Sequence, residues 1–416
     1  MSESLSHMRC GLLGEHLGHS FSAIIHNKIA DYSYELCEVA PDGVEEFVKC
    51  GGLDAFNVTI PYKKSVMPYL DRISDEALRI GAVNTVVRRA DGSLDGYNTD
   101  YFGFDRMLMK VCGSVKGKKA LILGSGGASA TVRAVLSDRG ADPVVVVGRR
   151  LENNYENITR HADAQIIVNT TPVGMYPNCG ESPVSLSLFP HCEAVLDIIY
   201  NPAKTALLLE AEKLGIPGSN GLYMLVSQAV RAYELFTLCV AEPSVIDSIV
   251  SDIAFDTRNI ILVGMPGCGK SVVGKRIATI LDRPFVDADE AFAKMHGATP
   301  AEVISERGEE EFRALEHKTL CEICKVSGAV IATGGGAVTR GENYDPMHQN
   351  GVVVYLRREL SRLSSEGRPL SQRVGVEALF ESRRALYESF ADITVDSTEE
   401  IARTARLVIE KIKEGM

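Results

Sequence analysis

Two glycine-rich turns about 140 residues apart constrain this chain more than anything else in it. The first is Leu121-Ile-Leu-Gly-Ser-Gly-Gly-Ala-Ser129 and the second is Ile260-Ile-Leu-Val-Gly-Met-Pro-Gly-Cys-Gly-Lys-Ser271. Each follows a short apolar run and opens a helix-period stretch. That is how a parallel strand hands the chain to a helix whose first N–H groups face a phosphate. Two such turns imply two nucleotide-binding units, each with its own sheet. The runs Val144–Val147, Ile166–Val168, Ala194–Ile199, Ile260–Val263, Ala329–Ala332 and Val352–Leu356 read as buried parallel strands between helices. This alternation predicts an α/β chain. The 416 residues leave room for roughly two to four domains. A seam is expected near 252–258, after the helical run Ser244–Ile253 and before the second turn.

Charge and composition narrow the function classes. A net charge of −11 disfavours nucleic acid, which requires a basic face. An anionic small ligand must then be held by local cations. No run of 18 apolar residues appears, so no membrane span is expected. The start MSESLSHMRCG lacks a basic and then apolar leader. The ten cysteines show no framework spacing, as in a reduced cytoplasmic protein. Cys321 and Cys324 form one C-x-x-C pair inside a helix-like stretch (Ala314–Lys325), which reads as a helix face rather than a metal site. His7, His19 and His26 form no ligand pattern.

The second turn, Gly264 to Ser271, is G-x-x-x-x-G-K-S between a strand and a helix (Val272–Leu281). Its glycines let the backbone wrap a phosphate. The expected ATP contacts run from Gly264 through Gly267, Cys268 and Gly269 to Lys270, Ser271 and Val272. Lys270 reaches the β- and γ-phosphates and the Ser271 hydroxyl ligates Mg²⁺. Farther on, Asp287 and Asp289 alternate on what reads as the next strand, which places both on one face at its carboxyl end. One can support the metal while the other takes a hydroxyl proton, although D-x-D also caps helices. Gly334-Gly335-Gly336 after the run Ala329–Ala332 makes a close-approach turn with free backbone donors.

The first turn supplies Gly124, Gly126, Gly127, Ala128 and Ser129 for a dinucleotide pyrophosphate. The next strand ends in Val147-Gly148-Arg149-Arg150, where an NAD site wants an acidic residue. Two arginines there suit a 2′-phosphate, hence NADP(H). A reductase also needs a proton partner. Lys63 can donate to a developing alkoxide and Asp100 can orient it or share the proton.

The ordered motifs go further. Residues 258–414 resemble shikimate kinase over that family's full length, with D-x-D, F-R, GGG, Arg368-Pro369-Leu370 and Arg383–Tyr387 in order. The resemblance implies that Asp289 binds the ring hydroxyls and acts as base. It implies that Arg313 and Arg383 grip the ring carboxylate. Gly334, Gly335 and Gly336 would add backbone contacts, and Arg368 would close from a lid over the transferring phosphate. Residues 9–253 resemble shikimate dehydrogenase. The carrying motifs are Gly14–Ser22, Asn57–Lys63, Gly81–Thr85, Asn98–Asp100, Asn169–Met175, Asp197–Pro202 and Gly221–Gln228. This resemblance implies Ser20 and Ser22 on the substrate carboxylate, and Thr59, Asn84, Tyr200 and Gln228 on the substrate. It implies Lys63 with Asp100 as the catalytic pair and Gly221 beside the cofactor.

The chain departs from these patterns in places. Gly148 stands where an asparagine is usual, and Arg149 to Asn169 is too short for the further helix and strand expected there. The kinase segment from Arg357 to Arg373 is short, with Ser371 in place of a leucine and Ala385 where proline is common. Three α/β units are therefore expected: a substrate domain (1–102 with 219–253 returning to it), an NADP domain (103–218) and a P-loop kinase (256–416). The resemblances imply reduction of 3-dehydroshikimate to shikimate, then phosphorylation of shikimate by ATP with Mg²⁺. An NAD-linked quinate/shikimate oxidoreductase and a shikimate-binding regulator with one inactive site are the alternatives. The halves are expected to work when separated near residue 255.

Overall fold

The computed structural model describes residues 5–18, 20–363 and 375–415. Chain contacts divide it into two units. One comprises 1–172, 183–200 and 210–250; the other comprises 173–182, 201–209 and 251–416.

The first unit holds two sheets. One is mixed and six-stranded, in the order β2-β1-β3-β5-β6-β4. Its strands are β1 (Arg9–Gly14), β2 (Ser33–Glu38), β3 (Ala55–Val58), β4 (Arg72–Ile73), β5 (Thr85–Arg88) and β6 (Leu94–Tyr97). Helices α1 (Ser22–Ile29), α2 (Val44–Cys50) and α3 (Asp75–Ile80) lie between them in sequence. Leu13, Phe56, Val58, Val83 and Val86 anchor its core, each worth about 1.5–3 kcal/mol when fully buried. Helix α4 (Thr99–Cys112) begins at Asn98, whose side chain caps the Tyr101 N–H. That cap fixes Asp100 in the first turn.

The other sheet is parallel, in the order β11-β10-β9-β7-β8. It comprises β7 (Ala120–Leu123), β8 (Val144–Val147), β9 (Ile166–Asn169), β10 (Ala194–Asp197) and β11 (Gly218–Ser219). Strands β7, β9 and β10 are buried along their whole length. This is why they read as continuous apolar runs rather than alternating ones. Between β8 and β9 the chain makes only the short 3₁₀ turn Ile158–His161, so the segment is trimmed as its length implied. Helix α5 (Gly127–Asp138) follows β7, α6 (Ala206–Lys213) follows β10 in sequence, and α7 (Leu222–Thr237) follows β11.

The second unit carries the third sheet, parallel in the order β13-β14-β12-β15-β16. Its strands are β12 (Asn259–Val263), β13 (Phe285–Asp287), β14 (Val330–Ala332), β15 (Gly351–Arg357) and β16 (Ile393–Asp396). Helices α9 (Lys270–Leu281), α10 (Ala288–His296), α11 (Pro300–Arg307), α12 (Glu309–Ile323) and α13 (Tyr344–Asn350) follow in the same part of the chain, with Val376–Phe390 and Ile401–Glu414 beyond them. Asp287 ends β13 and caps α10, so Asp289 sits in a helical first turn and not, as its alternation suggested, on the strand. Helix α8 (Val245–Thr257) runs through 252–258 to within two residues of β12, and the division by chain contacts falls between 250 and 251. Within this unit the C-terminal end of α13 is buried against the two short segments. Gln349 Nε2 donates to Cys179 O (2.6 Å) and Lys204 N to Gln349 O (2.8 Å). Ala203 N donates to Asn350 Oδ1 (2.8 Å). Among the described residues no helix is long and apolar enough to cross a membrane, and no group of His, Cys, Asp and Glu could hold a metal by itself.

Candidate functional sites

A cavity of the first unit, about 440 Å³, opens where β1 and β3 present their carboxyl ends and the antiparallel β5 its amino end, and α1, α4 and α7 close around them. Ser20, Ser22, Thr59, Lys63, Asn84, Asp100, Tyr200 and Gln228, from segments far apart in the chain, all line it. Lys63 Nζ lies 2.6 Å from Asp100 Oδ2. The Ser20 hydroxyl accepts from Ser22 N at 3.2 Å, which holds the turn that carries both serines. Asn84 is oriented by its oxygen, which accepts from Thr99 N at 2.7 Å. Its Nδ2 donates to none of the described residues and is left for the cavity. Gln228 Oε1 accepts from Thr99 Oγ1 at 3.3 Å.

The first glycine turn has open room on its outer side. A Cβ on Gly126 or Gly127 would meet nothing within 4 Å, whereas one on Gly124 (φ +105°) would sit 2.8 Å from Thr170 Oγ1. The amides of Gly126, Gly127 and Ala128 donate to no described residue. Together with the N-terminus of α5 they fit a pyrophosphate. Ser129 is buried in the first turn of α5, so this small residue serves helix packing. Arg149 and Arg150 are exposed at the end of β8, without an ion pair among the described residues. Gly221 has a packing role of its own, since a Cβ there would lie 2.0 Å from Ile198 O.

The cavity of the second unit, about 660 Å³, is lined by the second glycine turn, both aspartates, the triple glycine and three arginines. Gly264, Gly267 and Gly269 have φ of +146°, +84° and +100°, conformations that favour glycine. The N–H groups of Gly267, Gly269, Lys270, Ser271 and Val272 donate to no described residue. They form a concave set of backbone donors suited to phosphate. Cys268 is 1% exposed and packs its side chain into the core, so only its backbone belongs to the turn. Lys270 Nζ is folded onto Gly264 O (2.9 Å) and Met265 O (3.1 Å). Ser271 Oγ donates to Asp287 Oδ2 at 2.8 Å, which brings a hydroxyl and a carboxylate together as the oxygen donors Mg²⁺ prefers.

Deeper in, burial first and then the neighbouring Asp287 charge push the Asp289 carboxyl above its ordinary range. Arg313 is buried, with Nη1 2.7 Å from Glu316 Oε2 and Nη2 3.1 Å from Glu309 Oε1. The triple glycine is shaped around this group. A Cβ on Gly336 would fall 2.2 Å from Arg313 Nη2, one on Gly335 would strike Pro266, and one on Gly334 would crowd Glu316. The Gly335 carbonyl accepts from Arg383 Nη1 (3.2 Å) and from the Tyr387 hydroxyl. The N–H groups of all three glycines donate to no described residue. Arg368 and the short lid lie outside the described residues.

Residues 12–86 match the family model for the shikimate dehydrogenase substrate binding domain. The shikimate dehydrogenase (NADP(+)) of Caldanaerobacter subterraneus subsp. tengcongensis is 39% identical over 254 residues, covering 55% of this chain and 90% of its own. The chain belongs to the shikimate dehydrogenase family. Residues 266–413 match the shikimate kinase family model, so the dehydrogenase is fused to a kinase domain. A solved chorismate mutase/shikimate 5-dehydrogenase fusion from Clostridium acetobutylicum is 38% identical. Its match covers 60% of this chain and 98% of that one, with a TM-score of 0.57. The shikimate 5-dehydrogenase of Thermus thermophilus, solved with NADP(H) and shikimate, is 31% identical. That match covers 59% of this chain and 99% of the other, with a TM-score of 0.54.

The cavities of this dehydrogenase–kinase fusion also contain residues that motif reading passed over. In the kinase, Glu316 and Arg358 line the cavity. Glu316 stands three residues after Arg313, on one helix face, and that spacing was the available signal. Arg358 follows the end of β15 and had none. In the dehydrogenase, Thr99, the middle residue of the Asn98–Asp100 motif, contacts both Asn84 and Gln228. The C-x-x-C pair is on α12 and just beyond its end; all ten thiols are free and Cys324 is buried.

Proposed function

We propose that the first unit reduces 3-dehydroshikimate to shikimate with NADPH, and that the kinase phosphorylates the hydroxyl so formed with ATP and Mg²⁺. The carrying observation is the convergence of Lys63, Asp100, Asn84, Thr59 and Gln228 on one cavity together with the Lys63–Asp100 contact of 2.6 Å. Ser20 and Ser22 hold the ring carboxylate at one end of that cavity. Thr59, Asn84, Tyr200 and Gln228 hold the ring. The Gly124–Ser129 turn would hold NADPH, with Arg149 and Arg150 on its 2′-phosphate, and the bound cofactor would supply the hydride. Lys63 gives its proton to the oxygen that becomes the new hydroxyl, and Asp100 keeps the ammonium aimed at that oxygen.

In the kinase, Arg313 and Arg383 suit a carboxylate because guanidinium offers paired donors in a plane. Asp289 takes the proton of the attacking hydroxyl, helped by its raised affinity for that proton. Lys270 leaves its two carbonyls for the phosphates. Ser271 and Asp287 would hold Mg²⁺, which would supply charge neutralisation at the transferring group. Arg368 would serve the same end from the lid. The three units 1–102 with 219–253, 103–218 and 256–416 remain our functional division.

Substitution of Lys63 by alanine tests the reading. Reduction should fall about 10²–10⁴-fold, the range for a lost general acid, with phosphorylation unchanged. Near-normal reduction by Lys63→Ala would remove the lysine from the chemistry.

A further inference from the structure

Behind the dehydrogenase cavity a file of hydrogen bonds runs from a side chain that does not reach the cavity. Tyr34, on β2, donates its hydroxyl to Asn57 Oδ1 at 2.8 Å. Asn57 is buried, and its Nδ2 donates to Asn84 O at 3.3 Å and to Thr85 Oγ1 at 3.0 Å. Thr85 Oγ1 donates in turn to Asn84 Oδ1 at 3.1 Å and lies 3.1 Å from Thr99 Oγ1. Thr99 then reaches Gln228.

The donors in this file run one way, and the two amides in it cannot turn over freely. A carbonyl can only accept, so the Asn84 carbonyl fixes which end of Asn57 is nitrogen. The Tyr34 hydroxyl supplies the proton that the other end requires. Asn84 Oδ1, in turn, must face the Thr99 N–H and the Thr85 hydroxyl, so its Nδ2 faces the cavity. A buried amide oxygen that loses its donor costs the desolvation of that group, so the file is sensitive at its first link.

Tyr34 is also held at its ring. His26 stacks on it with centroids 4.0 Å apart and planes 9° from parallel. His26 is itself fixed through Nδ1, 2.6 Å from the Tyr32 hydroxyl. The ring's place is therefore set by stacking, and the hydroxyl's direction is free to serve Asn57. Burial pushes the Tyr34 hydroxyl's pKa well up, so it stays a donor.

We propose that Tyr34 is a positioning residue of the dehydrogenase, whose hydroxyl orients Asn57 and through it the Asn84 amide that meets the substrate ring. The proposal rests on the reading of Asn84 as a substrate contact. Tyr34→Phe keeps the ring and its stack on His26 and removes only the donor. The experiment measures steady-state reduction of 3-dehydroshikimate by the full-length protein carrying Tyr34→Phe, Asn84→Ala or both, with kinase constants as the control for folding. Tyr34→Phe should raise KM for 3-dehydroshikimate about tenfold with kcat within about threefold. In the Asn84→Ala background the same change should add less than about twofold, because the effect passes through Asn84. An unchanged KM in Tyr34→Phe, or the same rise in both backgrounds, overturns the proposal. If Asn84→Ala alone leaves KM unchanged, the substrate reading of Asn84 falls and the proposal with it. That result is distinct from a failure at Tyr34 alone.

Discussion

Replacing Arg313 by methionine should destabilise the kinase in a pH-dependent way. The two side chains of the Arg313–Glu316 pair are only 10% and 7% exposed, and they meet at 2.7 Å. Methionine fills most of the volume but leaves Glu316 buried near a second carboxylate, Asp289, whose charge already raises it. Removing one partner of a buried pair costs about 3–5 kcal/mol. Burial, the largest influence on Glu316, holds its carboxyl above the ordinary range even with Arg313 present. Without the arginine that shift grows. A carboxyl whose folded pKa is raised favours folding below its unfolded pKa and loses that contribution as pH rises through the folded value. The variant should therefore be hurt less near pH 5 than near pH 8. Hydrogen exchange of β12, β14 and β15 peptides at the two pH values reads the opening free energy of this sheet directly. Adding Glu316→Gln should recover part of the loss and flatten its pH dependence. A loss below about 1 kcal/mol, equal at both pH values, would refute the reasoning.

Other expectations can be checked more briefly. NADPH should be preferred to NADH at least about tenfold in kcat/KM, since each charge-assisted bond from Arg149 or Arg150 is worth roughly 1.5–3 kcal/mol. The preference should vanish in Arg149→Ala/Arg150→Ala, and equal kcat/KM for the two cofactors in the wild type would contradict it. The acid limb of kinase kcat/KM should lie above the usual aspartate range, because Asp289 must lose its proton to act as base and burial holds that proton on. A limb at or below the ordinary value would remove Asp289 from that role. A fragment 256–416 loses the partners of Gln349 and Asn350 at Cys179, Ala203 and Lys204. At about 0.5–1.5 kcal/mol for each of the three bonds, its sheet should be about 1.5–4.5 kcal/mol less stable than in the full chain. Equal protection of β12 and β15 in both would show that those bonds contribute nothing.

What the sequence showed plainly was whatever is encoded locally. Val144–Val147 reads as a strand because four β-branched residues in a row have no helical period, and β8 spans those four residues. Both glycine turns were legible because a phosphate-binding backbone requires glycine at fixed offsets. Lys63 and Asp100 stood out within ordered motifs, and their separate segments meet at 2.6 Å. The misreadings came where tertiary context decides. Asp289 looked like a strand residue because period-2 alternation carries no information about where a strand gives way to a helix. Segments 173–182 and 201–209 look like ordinary loops, and no local pattern says that Gln349 and Asn350 will bond to them. Tyr34 carries no motif of its own, and only the folded arrangement shows what its hydroxyl meets.

The central claim is that one chain carries out both reactions in succession. The direct test is a single incubation of the full-length protein with 3-dehydroshikimate, NADPH, ATP and Mg²⁺, with NADPH loss, ADP formation and the cyclic carboxylic acid products followed together. The account predicts equal amounts of NADPH oxidised and ADP formed once shikimate has been consumed, with shikimate 3-phosphate as the product. Omission of ATP should stop the sequence at shikimate, and Lys63→Ala should block it at 3-dehydroshikimate. NADPH oxidation with no phosphorylated product, or ADP formation with no transfer to shikimate, would contradict it.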